Sequence, residues 1–343
     1  MKTRRIAGFQ VAEIGLGCMN LSHAYGTPVS AEQGERVLLA ALDAGVTLID
    51  TAALYGFGGN EKLVGRVLGP HRQRIVLCSK GGMTGQPVGP NGALQRVIDG
   101  SPASLRRDVE ASLQRLGTEV IDLYYLHRWH KQVPIEDSVG ELARLQAEGK
   151  IRALGLSEVS TATLRRAHAV APIAALQSEY SLWSRNAELG TLAACAELGI
   201  AYVAFSPLAR AFLTNALRDV SGFDAKDIRR AMPRFTPGNY AANLQLLDAM
   251  LPLAAEAGCT PAQLALAWLL QRGEQVIPIP GTTSVEHLHE NLGASGVVLA
   301  PDLVARLEAL FAPQAVHGHR YNTANQTEVD TEDFSAGAAS AGG

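Results

Sequence analysis

From residue 14 onward one rhythm governs the chain: a short apolar run, then a stretch with apolar residues at helical spacing, then another short run. The runs lie at 14–19, 46–50, 74–80, 121–127, 151–157, 175–179, 201–206 and 276–280. Ser30 to Gln33 reads as a capping box opening a helix through Val37, Leu38, Ala41 and Leu42. Further helices are predicted at 60–68, 101–116 with Pro102 in its first turn, 135–148, 161–170 and 189–198. A longer excursion, 207–240, precedes helices at 241–257 and 260–271, and 284–311 is again mostly helical. Alternating strand and helix dictates a parallel sheet covered by helices, either open and doubly wound or closed into a barrel. Eight runs, no GxGxxG after the first, and no break in composition favour closure, so the expected fold is α/β, a (β/α)8 TIM barrel. Two alternating runs within 4–15 add an N-terminal β-hairpin. Residues 1–322 are expected to form one domain, and 323–343 an acidic, small-residue tail disordered over roughly its last ten residues. The Gly/Pro-rich segment 81–100 reads as a long loop, either mobile or functional.

Composition narrows the partners. At 47% hydrophobic and 18% charged residues the chain has ordinary globular usage, and no window is apolar for long enough to span a bilayer. A net charge of -3 with no Lys/Arg stripe gives no footprint for nucleic acid or an anionic membrane. A small-molecule partner is therefore expected, with the oligomeric state open. The basic start, Met1 to Ile6, lacks the apolar stretch of a secretory signal. Cys18, Cys78, Cys195 and Cys259 show no CxxC spacing, which suits reduced thiols in a cytoplasm.

In a TIM barrel the chemistry gathers at the C-terminal ends of the strands. Three consecutive runs here end on ionisable groups, Asp50, Lys80 and His127, and Tyr55 follows the first of them. Singly, Asp50 reads equally as a turn or cap, Lys80 as a solvated strand end, and His127 as a rim histidine. Together they form an acid–base set. Lys80 held by Asp50 would place a positive charge beside Tyr55 and lower the phenol's pKa towards a range useful for proton transfer. His127 would hydrogen-bond a carbonyl oxygen and hold it in line. His127 and His130 have the spacing of two metal ligands but stand at a strand end with nothing to complete a site, so no metal is expected.

These residues resemble the aldo-keto reductases, over nearly the whole chain. The resemblance is carried by Gly45 to Gly56 with Asp50-Thr51 and Tyr55, by Ser79-Lys80, Ile121 to His127, Gly155-Leu156-Ser157, Gln177, and Ile279 to Thr282. The run Pro280 to Thr283, with Asn291 a little later, is similar to the bacterial and plant branch with perakine-reductase-like and auxin-induced-protein-like members. The resemblance implies a nicotinamide-dependent carbonyl reductase with Tyr55 as general acid, supported by Asp50, Lys80 and His127. It implies that Ser157 and Gln177 hold the nicotinamide carboxamide and that Phe205 stacks on its ring. Ser206, Pro207, Leu208 and Arg210 would lie along the pyrophosphate. Gly281, Thr282, Thr283, Ser284, His287, Glu290 and Asn291 would surround the adenosine end.

Two positions depart from the family pattern. Glu158 replaces the usual Asn beside the amide-binding serine, which would alter one cofactor contact. Thr283 and Ser284 replace the Lys or Arg that many members hold against the 2′-phosphate, leaving Arg210 or His287 to compensate. NADP(H) is the expected cofactor, with NAD(H) the alternative. Met19, Tyr25, Met83 and Trp129, with Trp183 and Phe212, are candidate pocket walls for an apolar or ring-containing carbonyl compound. Two other functions are weighed beside carbonyl reduction: oxidation of a secondary alcohol or sugar, and a redox-sensing regulatory subunit of a channel-type partner.

Overall fold

The computed structural model describes residues 1–22, 24–88 and 92–334. Strands β1 (Thr3–Ile6) and β2 (Phe9–Ala12) pair antiparallel as the expected hairpin. Ile6 and Val11 pack with Leu48, Val76, Leu123, Tyr125 and Val203, so the hairpin closes one end of the barrel interior. Then the repeat runs: β3 (Leu16–Gly17), α1 (Ala31–Asp43), β4 (Leu48–Asp50), α2 (Gly59–Leu68) and β5 (Val76–Gly81). After an inserted pair, β6 (Met83–Val88) and β7 (Ala93–Ile98), come α3 (Pro102–Leu116), β8 (Ile121–Leu126), α4 (Ile135–Ala147), β9 (Ile151–Ser157) and α5 (Thr161–Val170). The chain continues through β10 (Ile173–Glu179), α6 (Thr191–Leu198), β11 (Ala201–Phe205), α7 (Pro237–Glu256), α8 (Pro261–Leu270), β12 (Val276–Pro278), α9 (Val285–Gly293), α10 (Pro301–Leu310) and α11 (Thr323–Gln326).

The sheet order is β3-β4-β5-β8-β9-β10-β11-β12, and every strand pair in it is parallel. Gly15 N donates to Pro278 O (3.0 Å) and Gly17 N to Pro280 O (3.3 Å), so the last strand meets the first and the sheet closes. The (β/α)8 barrel expected from the alternation is the observed fold. Inside it, a Cβ at Gly155 would stand 2.3 Å from the ring of Tyr125, so the glycine is what lets that aromatic fill the interior.

Local chemistry explains most element ends. Ser101 and Ser160 accept from the backbone of Ser104 and Thr163 and cap α3 and α5. Thr260 and Gln263 form a complete capping box on α8. The box expected at Ser30 is only half made. Ser30 accepts from Gln33 N, but the Gln33 amide reaches away to Thr283 O (2.7 Å) and ties α1 to the barrel mouth.

The segment 81–100 is not the structureless loop expected. Thr84 pairs with Val97 and Gln86 with Gln95 in a two-stranded ribbon. Gly85 and Pro87, which read as strand breakers, are tolerated there for separate reasons. A Cβ at Gly85 would fall 2.1 Å from the ring of Phe57, which packs on it, and Pro87 sits in a ribbon with open edges. Of the tail, 323–334 is described and 335–343 lies outside the described residues, as does most of the stretch expected to be disordered. Asp330 accepts from Ser160 N (3.1 Å), Ser160 Oγ (2.8 Å) and Thr163 Oγ1 (2.7 Å), which fastens the C-terminal segment to the start of α5. Among the described residues no single helix is long and apolar enough to cross a membrane; α7 and α8 pass that test only as a pair bent by 80°.

Candidate active site

The strand ends converge as the barrel requires. Asp50 closes β4, Lys80 lies next to the end of β5, and His127 follows β8, its N–H donating to Gly81 O (2.8 Å). Tyr55 is brought over them by a turn whose next three residues, Gly56, Phe57 and Gly58, have φ of 56°, 50° and 89°. For Phe57 that left-handed backbone costs about 1–2 kcal/mol, strain of the kind that collects at functional turns.

Lys80 is wholly buried, and its Nζ donates to Asp50 Oδ1 (2.5 Å), Thr51 O (2.9 Å) and Tyr55 Oη (3.1 Å). The second Asp50 oxygen accepts from Gln177 Nε2 at 2.8 Å. The His127 imidazole stands edge-on to the Tyr55 ring, 5.9 Å between centroids and 85° between planes. All four candidate catalytic residues are thus in one cluster.

Burial pulls the Lys80 ammonium down, but Asp50 and Tyr55 more than offset it and hold it at about 12. It is a permanent cation. For Tyr55 burial dominates, with Lys80 opposing it and Asp50 adding to it, and the phenol lies above its ordinary value of 10. The expected lowering is therefore not what the structure gives. Lys80 moderates a rise that the 8% exposure of the ring imposes, and Tyr55 is held as the neutral, proton-bearing phenol.

A cleft of about 870 Å³ opens above the cluster, within the ~300–1,000 Å³ common for ligand sites. Its wall includes Asp50, Tyr55, His127, Ser157, Gln177, Phe205, Ser206, Pro207, Leu208, Arg210, Gly281, Thr282, Thr283, His287, Glu290 and Asn291, with Met19 and Met83 packed near Tyr55 and Tyr25 under Arg229. Lys80 stands behind this wall.

Three expected site residues are placed elsewhere. Glu158 is 1% exposed with φ 56°, and its carboxylate turns away from the cleft to pair with both Arg320 nitrogens and accept from Glu179 N (2.9 Å). Ser284 caps α9 through His287 N (3.3 Å), so its hydroxyl is spent on the helix. Trp129 donates to Val133 O (2.9 Å) and lies under Arg166, outside the cleft. Trp183, also considered as a wall, stacks on Phe212 at 4.0 Å in the core. Arg210 does line the cleft, but its guanidinium is bound to Glu179 (2.7 and 2.8 Å).

The cleft is also lined by residues that no sequence motif marks. Arg128 carries no signal beyond its place after His127. Arg96 comes from the inserted ribbon and pairs with Glu328 (2.5 Å) from the C-terminal segment, and Tyr321, Asn325 and Val329 complete that side. These are contacts across more than 200 residues, for which spacing carries no signal.

A dinucleotide fits the long arm of this cleft. A Cβ at Gly281 would stand 2.8 Å from Gly17 O, and one at Gly17 2.8 Å from Ile279 O, so both glycines let the backbones at the end of β3 and after β12 approach closely where they line the cleft. In the loop after β11, Ser206, Ala209, Arg210 and Ala211 have φ of 48°, 50°, 55° and 75°. The amides of Leu208, Arg210 and Ala211 have no acceptor among the described residues. Uncommitted amides on such a backbone form an anion-binding concavity suited to a pyrophosphate.

Comparison with known proteins agrees with this geometry. The chain is 43% identical over 317 residues to a probable aldo-keto reductase 1 of Glycine max, covering 92% of this chain and 90% of that one. Among solved structures it is similar to a glycerol dehydrogenase of Gluconobacter oxydans (30% identity, TM-score 0.83, 91% of this chain and 95% of that one). It is also similar to an aldo/keto reductase of Klebsiella pneumoniae solved with NADP and acetate (30% identity, TM-score 0.70, 96% and 99%). The expectation of a channel-associated regulatory subunit finds no support in these relatives. Residues 13–312 match the sequence profile of the Aldo/keto reductase family, and with a lysine bonded to both aspartate and tyrosine at the barrel mouth, the chain belongs to that family of oxidoreductases acting on carbonyl and alcohol groups.

Proposed function

We propose that this protein reduces an aldehyde or ketone to the alcohol with a reduced nicotinamide cofactor, and that Tyr55 is the general acid. The observation that carries this reading is the single ammonium of Lys80 bonded at once to Asp50 Oδ1 and Tyr55 Oη, beside His127. When bound, the cofactor supplies the hydride. The protein's residues supply the rest. Ser157 and the Asp50-anchored Gln177 hold the carboxamide end, the amides after β11 receive the pyrophosphate, and Phe205 covers the ring. Tyr55 and His127 bind the carbonyl oxygen of the substrate, and the Tyr55 proton passes to that oxygen as negative charge develops on it. Lys80 stabilises the phenolate left behind, and Asp50 fixes the Lys80 charge.

NADP(H) is the proposed cofactor, on family habit and on the NADP held by the Klebsiella neighbour. The far end of the cleft offers Thr283, His287, Glu290 and Asn291, and no Lys or Arg among the described residues that line it there. A 2′-phosphate would meet no lysine or arginine there and would face the Glu290 side chain. Since a hydrogen bond to a charged partner contributes about 1.5–3 kcal/mol, the expected preference for NADPH over NADH is under about 100-fold in kcat/KM. Steady-state rates with one aldehyde and both cofactors check this. A higher kcat/KM with NADH overturns the NADP(H) assignment, and no carbonyl-dependent oxidation of either cofactor across a panel of aldehydes and ketones overturns the function.

The same site run in reverse oxidises a secondary alcohol, and the similarity to a glycerol dehydrogenase favours testing that direction too. Met19, Leu54 and Met83 make the wall near Tyr55 largely apolar, and Tyr25 and Met232 line the cleft elsewhere, which suits a ring-containing substrate.

A further inference from the structure

Among the described residues four arginines line the cleft: Arg96, Arg128, Arg210 and Arg229. Three carry a carboxylate of the protein. Arg96 pairs with Glu328 at 2.5 Å, Arg210 with Glu179 at 2.7 Å, and Arg229 with Asp227 at 2.6 Å. Arg128 does not. Its Nη1 donates to two neutral oxygens, the carbonyl of His127 (2.7 Å) and the hydroxyl of Ser157 (3.2 Å), and no carboxylate is in ion-pair range among the described residues. Nε and Nη2 make no hydrogen bond to any described residue.

The position of this cation matters as much as its lack of a partner. Arg128 follows His127 directly and bonds Ser157 at the end of β9, so it stands beside the catalytic cluster and the carboxamide end of the cleft, away from the loop after β11 that suits a pyrophosphate. Its charge acts on the Tyr55 phenol. Of the carboxylates that line the cleft, Asp50 is committed to Lys80 and Gln177 and Glu328 to Arg96, and neither they nor Glu290 is in ion-pair range of Arg128. A half-buried guanidinium with no carboxylate in ion-pair range among the described residues keeps a demand for a counter-anion, and its unused Nε and Nη2 form the fork that takes a carboxylate through two parallel bonds.

We infer that Arg128 is a substrate-binding residue that recognises an anionic group, and that the preferred substrates are aldehydes or ketones carrying a carboxylate on an apolar or aromatic frame. This rests on the reading of the site as a carbonyl reductase and narrows its substrate class. Two bonds from Nη1 hold the side chain against the rim, so the fork is presented to the cleft in a fixed orientation at little entropic cost on binding.

The test compares 4-carboxybenzaldehyde with its methyl ester, nearly matched in shape and with the more electrophilic aldehyde on the ester, so that a preference for the acid is not electronic, in the wild type and in Arg128→Gln and Arg128→Lys. The wild type should prefer the acid in kcat/KM by about 10-fold or more, mostly through KM, because charge-assisted bidentate bonds are the strong ones. In Arg128→Gln the acid-to-ester ratio should fall to about 1, and Arg128→Lys, which keeps the charge without the fork, should retain part of it. As a second measurement, benzoate should inhibit the wild type at least about 10-fold more tightly than benzamide, and that advantage should be lost in Arg128→Gln. An ester reduced as well as the acid by the wild type, or a ratio that survives in Arg128→Gln, overturns the inference while leaving the carbonyl-reductase reading intact. Failure of both aldehydes with both cofactors, together with no turnover of other carbonyls, overturns that reading and this inference with it.

Discussion

Replacing Tyr55 with Phe lowers kcat for carbonyl reduction by roughly 100- to 10,000-fold, the usual worth of a positioned general acid. Cofactor affinity should change little, because the ring remains and only the hydroxyl that meets Lys80 Nζ at 3.1 Å is removed. The pH dependence carries the same assignment. Burial, moderated by Lys80, holds the Tyr55 phenol above 10, so the acid stays protonated through the neutral and mildly alkaline range. Reduction by the wild type should therefore keep its kcat up to pH 10 and lose it only beyond, as the phenol gives up its proton. A variant retaining more than about a tenth of the wild-type rate removes Tyr55 from the chemistry.

The second large effect is on stability. Arg320 comes from the C-terminal segment, and its guanidinium is buried between Glu158, with which it pairs, and Glu179 at 3.9 Å. Glu179 in turn holds Arg210. This network joins the ends of β9 and β10, the loop after β11 and the segment leading to Tyr321 and Glu328 at the cleft. Arg320→Met should destabilise the protein by about 3–5 kcal/mol, because it leaves buried carboxylate charge without its cation. That corresponds to a fall in Tm of roughly 4–7 °C. Adding Glu158→Gln to Arg320→Met should recover part of the loss, since it removes the orphaned charge; calorimetry of the wild type, the single and the double variant reads the pattern. Equal Tm values for the wild type and Arg320→Met would show that the network holds nothing in place.

The pH dependence of this network has a definite sign. Burial pushes the Glu179 carboxyl up, but Arg210 and Arg320 outweigh it and hold it at about 2, against 4.5 for a free glutamate. A carboxyl lowered by folding contributes stability in full above pH 4.5 and loses it as acidification proceeds through about 2.

Much of this architecture is legible in the sequence because it depends on local periodicity. The apolar runs ending on Asp50, Lys80 and His127 fall in the closed sheet as expected, and closure is what brings residues so far apart in sequence within bonding distance. What local signals miss is the far-reaching side-chain pairing. Glu158 reads as a cofactor contact from its place after Ser157, but its partner Arg320 is 162 residues away and turns it into a structural charge. The ribbon β6–β7 is hidden by Gly85 and Pro87, whose presence answers to Phe57 and to the ribbon's open edges. The direction of the Tyr55 shift is also a matter of burial. A lysine beside a tyrosine can be read from the motif, but the depth of the phenol cannot.

The most direct test of hydride transfer at this site follows the hydrogen itself. With NADPH deuterated at both C4 positions and an aldehyde substrate, the full-length protein should form an alcohol carrying one deuterium on the former carbonyl carbon for each cofactor oxidised. Tyr55→Phe should form it at the reduced rate given above. An alcohol free of deuterium, or cofactor oxidised without alcohol, would contradict the account.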